Sequence, residues 1–298
     1  MKNVTLTLLT IFLYFFSYSQ YNANAGKSAI REEVPVQAVN AETGIVETKI
    51  ELVKPAESDA YGNLKGNEYD LAKDNAFEGQ TVFVLNICGN TMSYAKAALL
   101  EKGFNMVEAR TIPDVKTFAE SLKKSCQFWL LSGGGANQFT EEHMKVLEAY
   151  FKSGRGVYIW NDNTPYHVEG NFITERLLNV TMQGEYYGDQ VLRFKENDSI
   201  SGLVPDHLIT TGLETVYEGI TVSTISDPEQ NLTPIMYSSD GNVVTAVYER
   251  NGLRMVIDGG FTRLCVKWDA AGTARYVKNA AAWLANVERF GEEVATGE

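Results

Sequence analysis

Apolar residues along this chain fall into blocks whose spacing changes from segment to segment, and those changes mark its organisation. Thr81 to Ile87 is an unbroken, β-branched apolar run, the pattern of a strand buried on both faces. A helix is predicted next, capped by Asn90 or Thr91, with Ala95, Ala98 and Leu99 inward and Gly103 as its stop. Phe104 to Ala109 reads as a second strand. Pro113 and Asp114 open a helix in which Val115, Phe118, Ala119 and Leu122 recur with helical spacing. Gln127 to Leu131 is a third strand, running into Ser132-Gly133-Gly134-Gly135. Thr140 caps a helix with Met144, Leu147 and Phe151 inward, Gly154 ends it, and Gly156 to Trp160 is a fourth strand. Strands alternating with helices predict right-handed crossovers and an α/β fold: a mainly parallel, doubly wound sheet with helices on both faces.

The second half changes rhythm. Glu185 to Phe194, Thr215 to Ile225, Thr233 to Tyr237, Val243 to Glu249 and Leu253 to Asp258 are strand-like. Asp240-Gly241 and Asn251-Gly252 favour hairpins between the last three, so an antiparallel extension of the sheet is expected. A final helix is predicted from Thr273 to Val287, with Val277, Ala280, Ala281 and Leu284 on one face. The α/β domain is thereby placed at 80–290, with a disordered tail at 291–298.

Ahead of it, Val4 to Tyr18 is an apolar run of about 15 residues behind Lys2, short of the roughly 20 that cross a bilayer as a helix. It reads as the core of a secretory signal peptide over 1–19, with exits at Ser17-Tyr18-Ser19 or Ala23-Asn24-Ala25. Residues 20–79 are rich in Glu, Asp, Lys, Asn and Gly without a sustained apolar period, and are expected to form a flexible acidic linker. The expected product is exported, periplasmic or extracellular, with no stable membrane insertion after signal removal.

Charge narrows the partners. With 26 Lys+Arg against 38 Asp+Glu the chain carries −12, which argues against a partner bound through its phosphate backbone, nucleic acid included. Three histidines and three cysteines leave little material for a zinc site or a disulfide scaffold, and no metal or cofactor is expected. A small polar ligand or an envelope protein is the expected partner.

Ligands of open α/β sheets bind beyond the carboxyl ends of the strands. That rule selects Cys88 to Thr91, Ser132 to Asn137, Asn161 to His167, Asp258 to Arg263, and Lys267-Trp268-Asp269. From them we take Asn90, Ser132, Gly133, Gly134, Asn161, Asp162, Asn163, Tyr166, Thr262 and Arg263 as candidate ligand-binding residues. Ser132 to Asn137 lets backbone amides approach a ligand closely, but it lacks the Lys-Ser/Thr pair of a Walker loop. Trp160 to His167 crowds polar side chains directly behind a buried strand, which either coordinate a ligand or form an Asx-rich turn closed by Pro165. Arg263 can clamp a substrate or pair internally with Asp162 or Asp258. As an enzyme, the chain offers Asp162 or Asp258 as general base and His167 as its assistant. Cys88 and Cys265 both fall near the carboxyl edge, where a disulfide is within reach, while Cys126 starts a strand at the opposite edge. Cys88 partnered by His167 as a nucleophile is the alternative use of that thiol.

The order of elements, with Leu130 to Gly135 as a glycine-rich strand end, resembles the class I glutamine amidotransferase-like superfamily, nearest its trehalose-utilisation-type branch. Catalytic members of that superfamily place a Cys within G-x-C-x-G after the fourth strand and a His-x-Glu after a late strand. Here those stretches read Trp160-Asn-Asp-Asn-Thr164 and Gly259-Gly-Phe-Thr262, so the resemblance implies the scaffold without its triad. A carboxylate at Asp162 does not inherit thiolate chemistry. Val82 to Met92 also resembles the von Willebrand factor A metal motif D-x-S-G-S-M, with Asn86, Cys88 and Asn90 at its metal-binding positions. Three functions follow as expectations: a non-catalytic binding domain, a hydrolase of a polar or carbohydrate-related substrate, and a metal-dependent adhesion module using Asn86, Asn90 and Asp162.

Overall fold

The computed structural model describes residues 20–27, 32–53, 57–196, 199–268 and 271–290. The predicted signal peptide over 1–19, the predicted tail at 291–298 and Asp269 lie outside the described residues. In chain order the strands are β1 (Glu32–Val39), β2 (Val46–Val53), β3 (Thr81–Asn86), β4 (Asn105–Ala109), β5 (Gln127–Leu131), β6 (Gly156–Trp160), β7 (Thr181–Tyr187) and β8 (Val191–Arg193). They continue as β9 (Gly202–Leu203), β10 (Thr215–Tyr217), β11 (Thr221–Ser226), β12 (Thr233–Tyr237), β13 (Val243–Arg250) and β14 (Leu253–Asp258). The helices are α1 (Ser93–Glu101), α2 (Val115–Lys123), α3 (Glu141–Lys152), α4 (Val168–Leu178), α5 (Thr273–Leu284) and α6 (Val287–Phe290).

Eight strands form one sheet in the order β4-β3-β5-β6-β14-β13-β12-β9. The first five run parallel and the last three antiparallel, as the hairpin signals predict. The β7/β11 and β8/β10 pairs form separate two-stranded ribbons. Alternation along the strands divides the core. Val82, Val84, Trp129, Leu131, Tyr158 and Trp160 meet α1 and α5 on one face. Phe83, Leu85, Phe128, Leu130, Val157 and Ile159 meet α2, α3 and α4 on the other.

Caps account for several helix starts. Asp114 accepts hydrogen bonds from Lys116 N and Thr117 N, and Thr140 shares a capping box with His143. α1 instead begins behind Met92, two residues past Asn90 and one past Thr91, with no side-chain cap. The predicted strand 185–194 is divided into β7 and β8 at a turn through Asp189, whose φ is 57°. The predicted strand 215–225 is divided at Gly219, whose φ of 117° suits glycine and interrupts the extended backbone. α5 stops at Leu284 because Asn286 turns left-handed, φ 58°, and its amide donates to Gly154 O and Gly252 O.

The flexible linker expected over 20–79 is corrected by the structure along most of its length. β1 and β2 pair as a hairpin. Tyr21, Leu64, Leu71, Ala72 and Phe77 are buried in the core. Asn22 N donates to Leu71 O at 2.8 Å, and Leu71 N donates to Asn279 Oδ1 at 2.7 Å. At the centre Asp70, fully buried, meets Lys102 at 2.8 Å, Lys278 at 2.7 Å and Arg275 at 2.8 Å. Burial alone raises the Asp70 carboxyl, but Lys278, Lys102 and Arg275 outweigh it and hold the group below the usual carboxylate range. A few apolar residues and one shared carboxylate thus secure a segment whose composition is that of a solvated tether.

Candidate functional site

The carboxyl ends of β3, β6 and β14 converge on a cavity of about 360 Å³. Its floor is Asp162. Asn161 N donates to Asp258 O at 2.7 Å, which carries the chain straight off β6, and Asp162 N donates to Tyr166 O at 3.0 Å, which closes the polar turn on itself. The turn contains a cis peptide bond before Pro165. Asp162 Oδ1 accepts from Thr221 Oγ1 at 2.7 Å and Asn163 N at 2.8 Å, and Oδ2 accepts from Thr262 N at 3.1 Å. Burial is the dominant influence and pushes this carboxyl up to about 6, against the opposing pull of those donors.

Asn163 and Tyr166 line the cavity from the same turn, Cys88 and Asn90 from the loop after β3. Phe261 and Thr262 line it from beyond β14, and Ile220 and Thr221 from the start of β11. The Tyr166 and Phe261 rings meet edge to face at 5.8 Å. The wall therefore mixes amides and hydroxyls with aromatic and aliphatic surface. Burial pushes the Cys88 thiol up to about 11, and the thiol donates to Asn86 Oδ1 at 3.3 Å.

Five of the ten candidate ligand residues, Asn90, Asp162, Asn163, Tyr166 and Thr262, line this cavity. The others support it from behind. Asn161 is fully buried and donates to Met182 Sδ, and a Cβ at Gly170 would fall 2.0 Å from its oxygen. Ser132 Oγ donates to Glu169 Oε2 at 3.0 Å and accepts from Glu169 N at 3.1 Å, so it caps α4 across the sheet edge. Gly133 N donates to the same carboxylate at 2.9 Å. A Cβ on Gly134 would stand 3.0 Å from Pro165 and 3.1 Å from Tyr166, so this glycine lets the loop pack behind the tyrosine. The loop thus buttresses the turn and the start of α4.

Arg263 and Asp258 take the internal pairing that was the alternative to a substrate clamp. Both are fully buried and pair with each other at 3.0 Å. Asp258 also accepts from Tyr276 OH at 2.7 Å and Gly260 N at 3.0 Å, while Arg263 Nη2 donates to Glu218 O at 2.7 Å. Neither lines the cavity. His167 sits before α4 with its Nδ1 enclosed and unpartnered, and it does not line the cavity with Cys88. The three cysteines are free thiols. Lys267 pairs with Asp189 at 3.3 Å, and Trp268 stacks on Tyr94 at 6.0 Å. At the metal-motif positions, Asn86 spends its amide on Asn90 O and Glu108 Oε1 and its oxygen on Gly89 N.

Cys88, Ile220, Thr221 and Phe261 were not among the expected ligand residues. Thr221 and Ile220 belong to a ribbon outside the main sheet, where the strand-end rule has no purchase. Phe261 stands in a selected segment, but as the apolar member of a polar cluster it carried no chemical signal.

No family model and no curated protein matches this sequence. Among solved structures, the chain is similar to the mmIFT52 N-terminal domain, at a TM-score of 0.51 and 14% identity, over 69% of this chain and 97% of that one. A protein assigned as a GMP synthase component from Thermoplasma acidophilum matches at 0.44 and 12% identity, over 72% of this chain and 99% of that one. PurLQS from Thermotoga maritima matches at 0.42 and 10% identity, over 70% and 100%. At these identities the first match establishes a shared α/β fold.

Proposed function

We propose that this chain is an amidotransferase-like ligand-binding domain, that its ligand occupies the carboxyl-edge cavity, and that it performs no thiol-based amide chemistry. The observation that carries the reading is Asp162, a buried carboxyl on the floor of that cavity, in the turn where the resemblance places a nucleophilic cysteine. Three donors hold this carboxyl in place, which suits a recognition group fixed for binding. The one thiol lining the cavity is pushed up to about 11 and stays protonated at neutral pH, and among the described residues no histidine lines the cavity to activate it.

The test is a thermal-shift screen of the wild-type chain and Asp162→Ala against small neutral and charged molecules, with circular dichroism as the folding control. A wild-type shift lost in a folded Asp162→Ala chain supports the reading. An equal shift in both places the ligand elsewhere.

One observation favours a hydrolytic reading: a carboxyl near 6 is poised for proton transfer around neutral pH. A hydrolase of that kind loses turnover in Asp162→Asn and shows a pH–rate limb near that value. Turnover indifferent to Asp162 removes it. We further propose that the chain is exported, on the strength of the apolar run Val4 to Tyr18.

A further inference from the structure

Buried carboxyls outnumber cationic side chains beneath the cavity, and that imbalance points to what fills it; the inference rests on the function proposed above. Asp162 faces the cavity from the turn after β6. Behind it lie Asp258 and Arg263, paired at 3.0 Å. Glu218, fully buried between β10 and β11, accepts from Gln190 N and Ser239 N with its carboxylate, and its carbonyl oxygen accepts from Arg263. Burial raises the Glu218 carboxyl as it raises that of Asp162, and the guanidinium makes its close ion pair with Asp258. The Cys88 and Cys265 thiols near Asp162 are both raised by burial and stay neutral. Among the described residues, no Lys, Arg or His lines the cavity.

A buried carboxylate outside any close ion pair is costly, and a cation in the adjoining space offsets part of that cost. Among the described residues, Asp162 Oδ2 accepts one hydrogen bond, from Thr262 N, which leaves acceptor capacity on the buried carboxylate. Tyr166 and Phe261 supply aromatic surface, which attracts organic cations. A bare divalent ion fits poorly, since hard cations gather about six or more oxygen ligands and Asp162 is the one carboxylate among the described residues that lines the cavity. We propose that the cavity binds a small organic ammonium ion, a protonated amine, with Asp162 as its counter-ion and Tyr166 and Phe261 beside it.

The test is calorimetric titration of the full chain with two matched pairs: cyclohexylamine against cyclohexanol, and 3-amino-1,2-propanediol against glycerol. At about pH 7.5 the amine of each pair should bind about tenfold tighter or more, the effect of one charge-assisted hydrogen bond. The advantage should shrink by about pH 5, as Asp162 takes up a proton. In Asp162→Asn the two members of each pair should bind alike. The pH dependence is read on the unaltered chain, so a variant that fails to fold does not remove the test. Equal affinity within both pairs at both pH values overturns the ammonium assignment and leaves the cavity reading standing. No binding by any of the four overturns both. A response to magnesium chloride alone, lost in Asp162→Asn, overturns the ammonium in favour of a metal ion.

Discussion

Three buried aspartates show how neighbours decide what a carboxyl does. Asp162 is raised by burial from 3.8 to about 6, so between those values the folded chain holds a proton that the unfolded chain has released. Stability contributed by such a group falls as pH rises through that window. The unfolding free energy of wild type minus that of Asp162→Asn should therefore grow by about 2–3 kcal/mol between neutral pH and about pH 4. Urea denaturation at a series of pH values measures it, and a flat difference returns Asp162 to an ordinary carboxyl. Asp70 has the opposite sign: its lowered carboxyl stabilises above the unfolded value and loses that contribution only as pH falls through the folded one. Asp258 is committed to Arg263 in a pair with no solvent contact. Arg263→Met should cost about 3–5 kcal/mol by leaving a buried carboxylate unpaired, and Asp258→Asn with Arg263→Met together should cost less than the two singles added. Additive losses in thermal denaturation contradict the pairing. The sequence marks Asp162 and Asp258 alike, each a carboxylate at the end of an apolar strand. What separates them is Arg263, folded back onto Asp258 by the turn Phe261–Leu264; the sequence offers it either partner, and the turn decides between them.

At the scale of elements, the parallel strands and the helices over 81–160 are legible because each lies in a clear apolar period between turn residues. α4 escaped that reading: Val168–Leu178 opens with Glu169, Gly170 and Asn171, and it is held by Ser132 from another strand end rather than by a local cap. The segment 57–79 escaped for the converse reason, since its few apolar residues pack on distant elements. Its attachment carries a prediction about processing. Tyr21 is buried, Gly26 N donates to Thr211 Oγ1 at 3.0 Å, and Gly212 N donates to Lys27 O at 2.8 Å. Cleavage after Ala25 would strip part of this edge, while cleavage after Ser19 leaves it whole. N-terminal sequencing of exported protein should therefore begin at Gln20, and a start at Gly26 refutes the argument. A chain beginning at residue 80 should in turn lose solubility or cooperative unfolding, because it removes Leu71, Phe77 and the carboxylate that Lys102, Arg275 and Lys278 share.

Across the whole molecule, stability should be graded outward from the five parallel strands, and the site stands at their ends. β5 and β6 are buried at every position and paired on both edges, with helices over each face. β1 and β2 pair only with each other and leave Val39, Val46 and Ile50 exposed, and an isolated hairpin is marginal in water. Native-state hydrogen exchange should therefore separate the two: amides of β5 and β6 open only with global unfolding, and those of β1 and β2 open at almost no free-energy cost. The placement of Asp162 follows from the same gradient. Its turn leaves β6 directly, and its carboxyl is fixed by β11 through Thr221 and by the segment after β14 through Thr262. A carboxyl carried directly off β6 and held by donors from two further elements is preorganised, and ligand binding then has little local ordering to offset. Slow exchange at Asp162, Asn163 and Thr262 before any ligand is added is the expected result. Fast exchange there, with protection appearing only on binding, would mean that the ligand builds the site instead of meeting it.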